Sequence, residues 1–224
     1  MRCEYISIIL HTSLPIVREI TGKKGITLSP QQEIVGEENT GRVDYAINHL
    51  EELICITEGK QSDVGMGFAQ NLVQCESAMQ VNTKKRMAIG EDLDYVYGIV
   101  TTATDWIFIR FASDGISCTS DEPLKIQFSK NALEPGSEYE NKLRENVKKV
   151  VEVIVGLLKD RVDLEYGTKV KRQRVEGNGE EMWSRFYFLL EGLAYVAFVM
   201  PYPLTASSAV SSLSAMFFVS YTDR

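Results

Sequence analysis

The chain has 224 residues, 44% of them hydrophobic and 25% charged, with 6 prolines and 16 glycines. That composition fits one large globular domain, or a domain of about 150 residues with an appendage, and excludes collagen-like, low-complexity and fully disordered classes. With 24 basic against 31 acidic residues the net charge is −7, so any contact with nucleic acid must come from a local basic patch or a bridging cation, not from a bulk positive field.

The run Tyr5-Ile6-Ser7-Ile8-Ile9-Leu10 follows Glu4 and meets His11, too short for a secretion signal; it is expected to open the fold as a helix or strand. Residues 13–37 are mixed, with turns at Gly22, Gly25 and Pro30, and 33–36 is strand-like before the polar turn 37–41. Two strands are expected over 42–48 and 53–60, separated by His49-Leu50-Glu51-Glu52. Gly65-Met66-Gly67 gives a permissive entry to a helix over about 67–81. Phe68, Leu72, Cys75 and Met79 form its apolar stripe, which leaves Gln70, Gln74 and Glu76 opposite. Lys84-Lys85-Arg86 closes that helix, where cations suit the carbonyl end of the dipole. Strands at 95–102 and 106–111 precede a poorly patterned stretch around Asp114-Gly115 and an apolar segment at 124–128. Residues 137–163 read as a long helix with Leu143, Val147, Val150, Val151, Ile154, Leu157, Leu158 and Val162 on one side.

Beyond Tyr166 the character changes. Residues 1–166 read as the folded domain, 167–179 as a basic linker and 180–224 as an apolar C-terminal tail. No charged residue occurs from 192 to 221, but Pro201 and Pro203 split that run and Ser207, Ser208, Ser211, Ser212 and Ser214 lie in its second half, so no membrane span is expected. Cys3, Cys55, Cys75 and Cys118 are scattered singly and the histidines are His11 and His49 alone, which excludes Cys/His zinc patterns. Cys55 and Cys75, on apolar faces, are read as packing groups, and Trp106 and Tyr95 as core aromatics.

Chemistry concentrates at Asp44 and Glu58-Gly59-Lys60. Leu53-Ile54-Cys55-Ile56-Thr57 is the run of a buried strand, and such runs rarely end in two ionisable groups without a use. The same spacing in Glu140-Asn141-Lys142 belongs to a solvated helix face. Period-two alternation puts Glu58 and Lys60 on one side of the strand. A hairpin centred on Glu51 sets Asp44 opposite Glu58, with Cβ atoms about 5 Å apart. Two carboxylates so placed repel unless a cation lies between them, and a hard divalent ion with oxygen ligands suits the position. Lys60 beside them can orient a water or meet charge developing at phosphorus. Gln70 and Gln74, at i and i+4, project together, either into the same cleft or into solvent.

These residues resemble the restriction-endonuclease-like PD-(D/E)XK nuclease superfamily: Asp44, then Glu58-x-Lys60 at the end of a hydrophobic strand, then a helix with Gln70-x-x-x-Gln74. The wording is more specific still. Arg42-Val43-Asp44-Tyr45-Ala46-Ile47, Ile56-Thr57-Glu58-Gly59-Lys60-Gln61, Ala69-Gln70-Asn71-Leu72-Val73-Gln74 and Tyr97-Gly98-Ile99-Val100-Thr101-Thr102 resemble the C-terminal regions of Crinkler-type effectors of fungi and oomycetes, over roughly residues 30–165. The resemblance implies an α/β fold with a mixed sheet flanked by helices, and metal-dependent phosphodiester hydrolysis, with DNA the expected substrate. Asp44 and Glu58 would bind Mg²⁺ or Mn²⁺, Lys60 would be catalytic, and Gln70 and Gln74 would assist from the helix. Val43 stands where the superfamily's nominal motif has proline. A third acidic ligand is sought at Glu33 or Glu38, with Glu19 behind them. The resemblance also implies action in a nucleus, a host's included, and a host-protein partner. No phosphate-loop motif and no Leu-Phe-Leu-Ala-Lys header accompanies it, so secretion is not supported. Lys84, Lys85 and Arg86 are candidate phosphate contacts, as are Lys171, Arg172 and Arg174, alongside the reading of both clusters as solvated surface. A cleavage-silent nucleic-acid-binding module and a protein-interaction effector are the alternatives.

Overall fold

The structure is a computed structural model that describes residues 2–37, 39–61, 64–87, 95–119 and 122–167. Glu38, the side chain of Arg86, the basic cluster of Lys171, Arg172 and Arg174, and the tail 180–224 lie outside the described residues.

The elements in chain order are α1 (Arg2–Thr21), β1 (Ile26–Pro30), β2 (Glu33–Val35), β3 (Thr40–Arg42), β4 (Tyr45–His49), β5 (Glu52–Gly59), α2 (Val64–Met87), β6 (Tyr95–Thr101), β7 (Asp105–Ala112), β8 (Gly115–Cys118), β9 (Leu124–Lys125) and α3 (Glu138–Gly167). Seven strands form one mixed sheet in the order β1-β4-β5-β6-β7-β8, with β9 beside β7. β5 and β6 are parallel, joined by the crossover helix α2; the other pairs are antiparallel. β2 and β3 form a separate hairpin. The expected mixed sheet flanked by helices is therefore present. Among the described residues no helix is long and apolar enough to cross a membrane.

Helices cover both faces. α1 and α3 pack together on one, over Tyr45, Ile47, Cys55, Tyr97 and Ile99; α2 lies on the other, over Ala46, Leu53, Ile56 and Val96. α3 follows its apolar stripe, burying Val150, Val151, Ile154, Leu158 and Val162. It starts where Ser137 Oγ accepts the Glu140 N–H and the Glu140 carboxylate accepts the Gly136 N–H, a reciprocal cap. α1 is longer than expected and runs through Pro15. The missing proline N–H is outweighed by burial of Leu14, Ile16 and Val17, each contributing about 1.5–3 kcal/mol. β8 escaped notice because all four of its residues are exposed, which leaves no alternation to see.

The β4–β5 hairpin reaches the expected register by another route. Its loop is Leu50 and Glu51, with His49 paired to Glu52 and Asn48 to Leu53. Continued unchanged, that register would set Asp44 against Thr57. A bulge at Ile54 shifts it, so Ile47 pairs with Cys55 and Tyr45 with Thr57, bringing Asp44 opposite Glu58 one step on. The bulge also resets the alternation: Leu53 and Ile56 join the α2-side cluster, while Ile54 and Cys55 both join the α1/α3 side. The amide of Asn82 in α2 clasps the strand beside the bulge, accepting the Leu53 N–H at 3.0 Å and donating to the Leu53 carbonyl at 2.8 Å.

Candidate active site

β5 delivers Glu58 to the underside of α2, where the residue is buried. Its Oε1 accepts from Lys60 Nζ at 2.7 Å and its Oε2 from Gln74 Nε2 at 3.2 Å. Lys60 Nζ donates in turn to Gln70 Oε1 at 2.5 Å. Two glutamines one helical turn apart thus grip the two ends of one ion pair. With the Glu58 side chain 5% exposed and that of Lys60 23%, the pair is shielded from the solvent that makes surface pairs nearly worthless.

Asp44 sits just before β4, opposite Glu58. Its Oδ2 accepts the Gly59 N–H at 2.8 Å and its Oδ1 accepts from Gln31 Nε2 at 3.1 Å. The Lys60 N–H continues the ladder to the Thr101 carbonyl at 2.8 Å, so the site lies at the C-terminal ends of the two parallel strands. That edge is where open α/β sheets hold ligands.

The structure thus brings Asp44, Glu58, Lys60, Gln70 and Gln74 to one end of the sheet. The sequence pattern misjudged the roof above them. The side of α2 turned to the sheet is not the stripe of Phe68, Leu72, Cys75 and Met79, of which Cys75 alone is buried; it consists of Gly67, Asn71, Gln74, Cys75, Ala78 and Asn82. Gln74 is therefore under the helix and not in solvent, whereas Glu76 is exposed as expected. Asn71, which sequence reasoning did not single out, donates to the Ile56 carbonyl at 3.2 Å and the Ile99 carbonyl at 3.5 Å, tying α2 to both parallel strands. Gly98 makes room for it, since a Cβ there would collide with Asn71 Oδ1.

Other candidates fall elsewhere. Glu33 is exposed on β2 opposite Arg42, and among the described residues no group of three His, Cys, Asp or Glu could hold a metal. Lys84 pairs with Glu37 at 3.3 Å and Lys85 Nζ reaches the Glu51 carbonyl, at the opposite end of β5 from Glu58, about 20 Å of strand away. In the second Glu-x-Lys spacing Lys142 is exposed as expected, whereas Glu140 is half-buried in the first turn of α3, paired with Arg144 at 2.8 Å and capping the helix. Burial pushes the Cys55 thiol up to about 12 and raises Cys75 as well, so both are packing groups. Trp106 is fully buried and donates to the Ala103 carbonyl at 3.0 Å.

No protein-family model and no curated protein matches the chain. Among solved structures it is similar to the type IIG restriction endonuclease BpuSI, with a TM-score of 0.43 and 12% identity over 70% of this chain and 16% of that one. The chain thus spans about a sixth of that enzyme's length. A likeness at this level leaves the chemistry to be read from the side chains.

Proposed function

We propose that the protein is a metal-dependent nuclease that hydrolyses phosphodiester bonds, with DNA as substrate. The observation carrying this is the buried Glu58–Lys60 pair gripped by Gln70 and Gln74 beneath α2, with Asp44 across the hairpin. Beneath α2 the Glu58 carboxylate and the buried amide oxygen of Gln74 offer oxygen donors, the Asp44 carboxylate stands at the same end of the sheet on the Gly59 N–H, and oxygen donors suit a hard divalent cation, Mg²⁺ or Mn²⁺. Asp44 and Glu58 would hold it. When bound, such an ion polarises a phosphoryl oxygen and makes a bound water a nucleophile near neutral pH. Lys60 spends two of its three N–H groups on Glu58 and Gln70, and the third is placed to orient a water or to meet charge on a phosphoryl oxygen. Gln70 keeps that ammonium in position.

The resemblance to Crinkler-type regions extends the proposal to an effector acting in a nucleus, including that of a host. Nuclear accumulation of a fluorescent fusion would support that extension; cytoplasmic retention would count against it.

Plasmid DNA incubated with the protein and Mg²⁺ or Mn²⁺ tests the activity, with Asp44→Ala and Lys60→Ala alongside. Cleavage by the wild type should be lost in both variants, and cleavage that survives both sinks the assignment. A cleavage-silent nucleic-acid-binding module is the second reading, favoured by the lack of a three-residue acidic cluster among the described residues. Plasmid binding without cleavage in either cation decides for it.

A further inference from the structure

α2 buries three amide side chains against the sheet, and they are not equally satisfied. Asn82 Oδ1 accepts the Leu53 N–H, and Asn71 Oδ1 has the Cys75 thiol at 3.6 Å. Gln74 Oε1 has no hydrogen-bond partner and is closed off from solvent, although the residue is only 6% exposed. A buried acceptor left without a donor is costly and rare in native proteins. Reversing the amide does not help, because the oxygen would then face the Glu58 carboxylate, acceptor against acceptor. The orphan is fixed by chemistry.

Its surroundings say what it lacks. The other end of the same amide rests on Glu58 Oε2, the carboxylate oxygen that Lys60 does not take, and the Lys60 ammonium is already engaged by Glu58 Oε1 and Gln70. The oxygens of Glu58, Gln70 and Gln74 outnumber the one ammonium bound among them. Two carboxylates leave a hard cation with room for another protein oxygen.

We propose that Gln74 Oε1 is a third protein ligand of the divalent cation, in the place a third carboxylate would fill. This rests on the reading of Asp44 and Glu58 as the acidic ligands.

Calorimetric titration of Mn²⁺ and, separately, Cd²⁺ into the full chain without nucleic acid tests it. The variants are Gln74→Glu, Gln74→Met and Asp44→Asn, each first shown by metal-free thermal melting to be folded. Gln74→Glu keeps an oxygen donor and should hold or tighten Mn²⁺. Gln74→Met offers a soft thioether, so Mn²⁺ should weaken about tenfold or more while Cd²⁺ weakens less, shifting the ratio of the two Kd values. Equal weakening of both metals in both Gln74 variants overturns the ligand role: Gln74 would then act only through its N–H on Glu58, and the Asp44–Glu58 site would stand. Unchanged binding in Gln74→Met overturns it too. If the wild type takes up no Mn²⁺, or Asp44→Asn leaves uptake unchanged, the underlying site fails and this ligand with it.

Discussion

Gly67, in the first turn of α2, rests on the aliphatic stem of Lys60: a Cβ at residue 67 would stand 2.6 Å from Lys60 Cγ and 3.0 Å from Val100 Cγ1. The glycine is there for the lysine beneath it. Gly67→Ala gains about 1 kcal/mol of helix propensity, which offsets part of the crowding. The expected outcome is a melting temperature within a few degrees of wild type and a plasmid-cleavage rate down about tenfold or more, read by differential scanning fluorimetry beside a cleavage time course. An unchanged rate would show that Lys60 has no part in the chemistry or that its stem moves freely.

Lys60→Met removes the ammonium but keeps the stem that packs against Gly67. Cleavage should fall by about a hundredfold or more, the scale of losing one preorganised charge at a phosphoryl centre. Glu58 would be left buried with Gln74 as its one side-chain partner, destabilising the fold by about 1–3 kcal/mol. Chemical denaturation measures the second effect. A variant as stable as wild type would mean that the ion pair contributes nothing net.

Asn82→Ala strips two hydrogen bonds from Leu53, beyond the point where β6 begins to pair with β5. The expected loss is about 2–4 kcal/mol, with faster hydrogen exchange at the Leu53 amide. If exchange there does not change, Asn82 is not what holds the bulge.

High pH should weaken the fold. Burial is the main reason that Tyr45 and Tyr97 are each pushed from 10.0 up to about 12, and the Cys55 thiol from 9.0 to about 12. Folded-state values above the unfolded ones mean that the folded state keeps its protons longer. The associated stability is complete below about pH 9 and drains away as pH rises toward 12. Tyr97→Phe should flatten the decline in melting temperature between pH 10 and 12; an identical slope would exclude Tyr97 as a contributor.

The strands and α3 were legible because their patterns carry burial alone. Leu53 to Thr57 is apolar on both faces, and eight apolar residues recur at helical spacing across α3. The site residues were legible for a different reason: charged groups at the end of a buried strand break the pattern. α2 misled because its sheet-facing side has to meet Glu58, Lys60 and the backbone of β5 and β6, and glycine with amides does that better than leucine. Periodicity in hydrophobicity therefore pointed to the wrong stripe. The signal that remained was Gly67, Asn71, Gln74 and Ala78 at spacings of four, three and four, small and amide residues on one line. The pairing of Asp44 with Glu58 came out of residue arithmetic that assumed a regular hairpin, whereas the molecule reaches it with a shorter loop and one unpaired residue. Nothing in the sequence around Ile54 announces that irregularity.

The unpaired residue at Ile54 makes β5 asymmetric toward changes in length. Losing one residue there would heal the strand into an uninterrupted ladder with Glu58 still under α2 and still facing Asp44, at the price of one isoleucine from the core. Gaining one would demand a second irregularity, or else swing the carboxylate and the amine into the packed side beneath α1 and α3. Shortening should be survivable where lengthening is not.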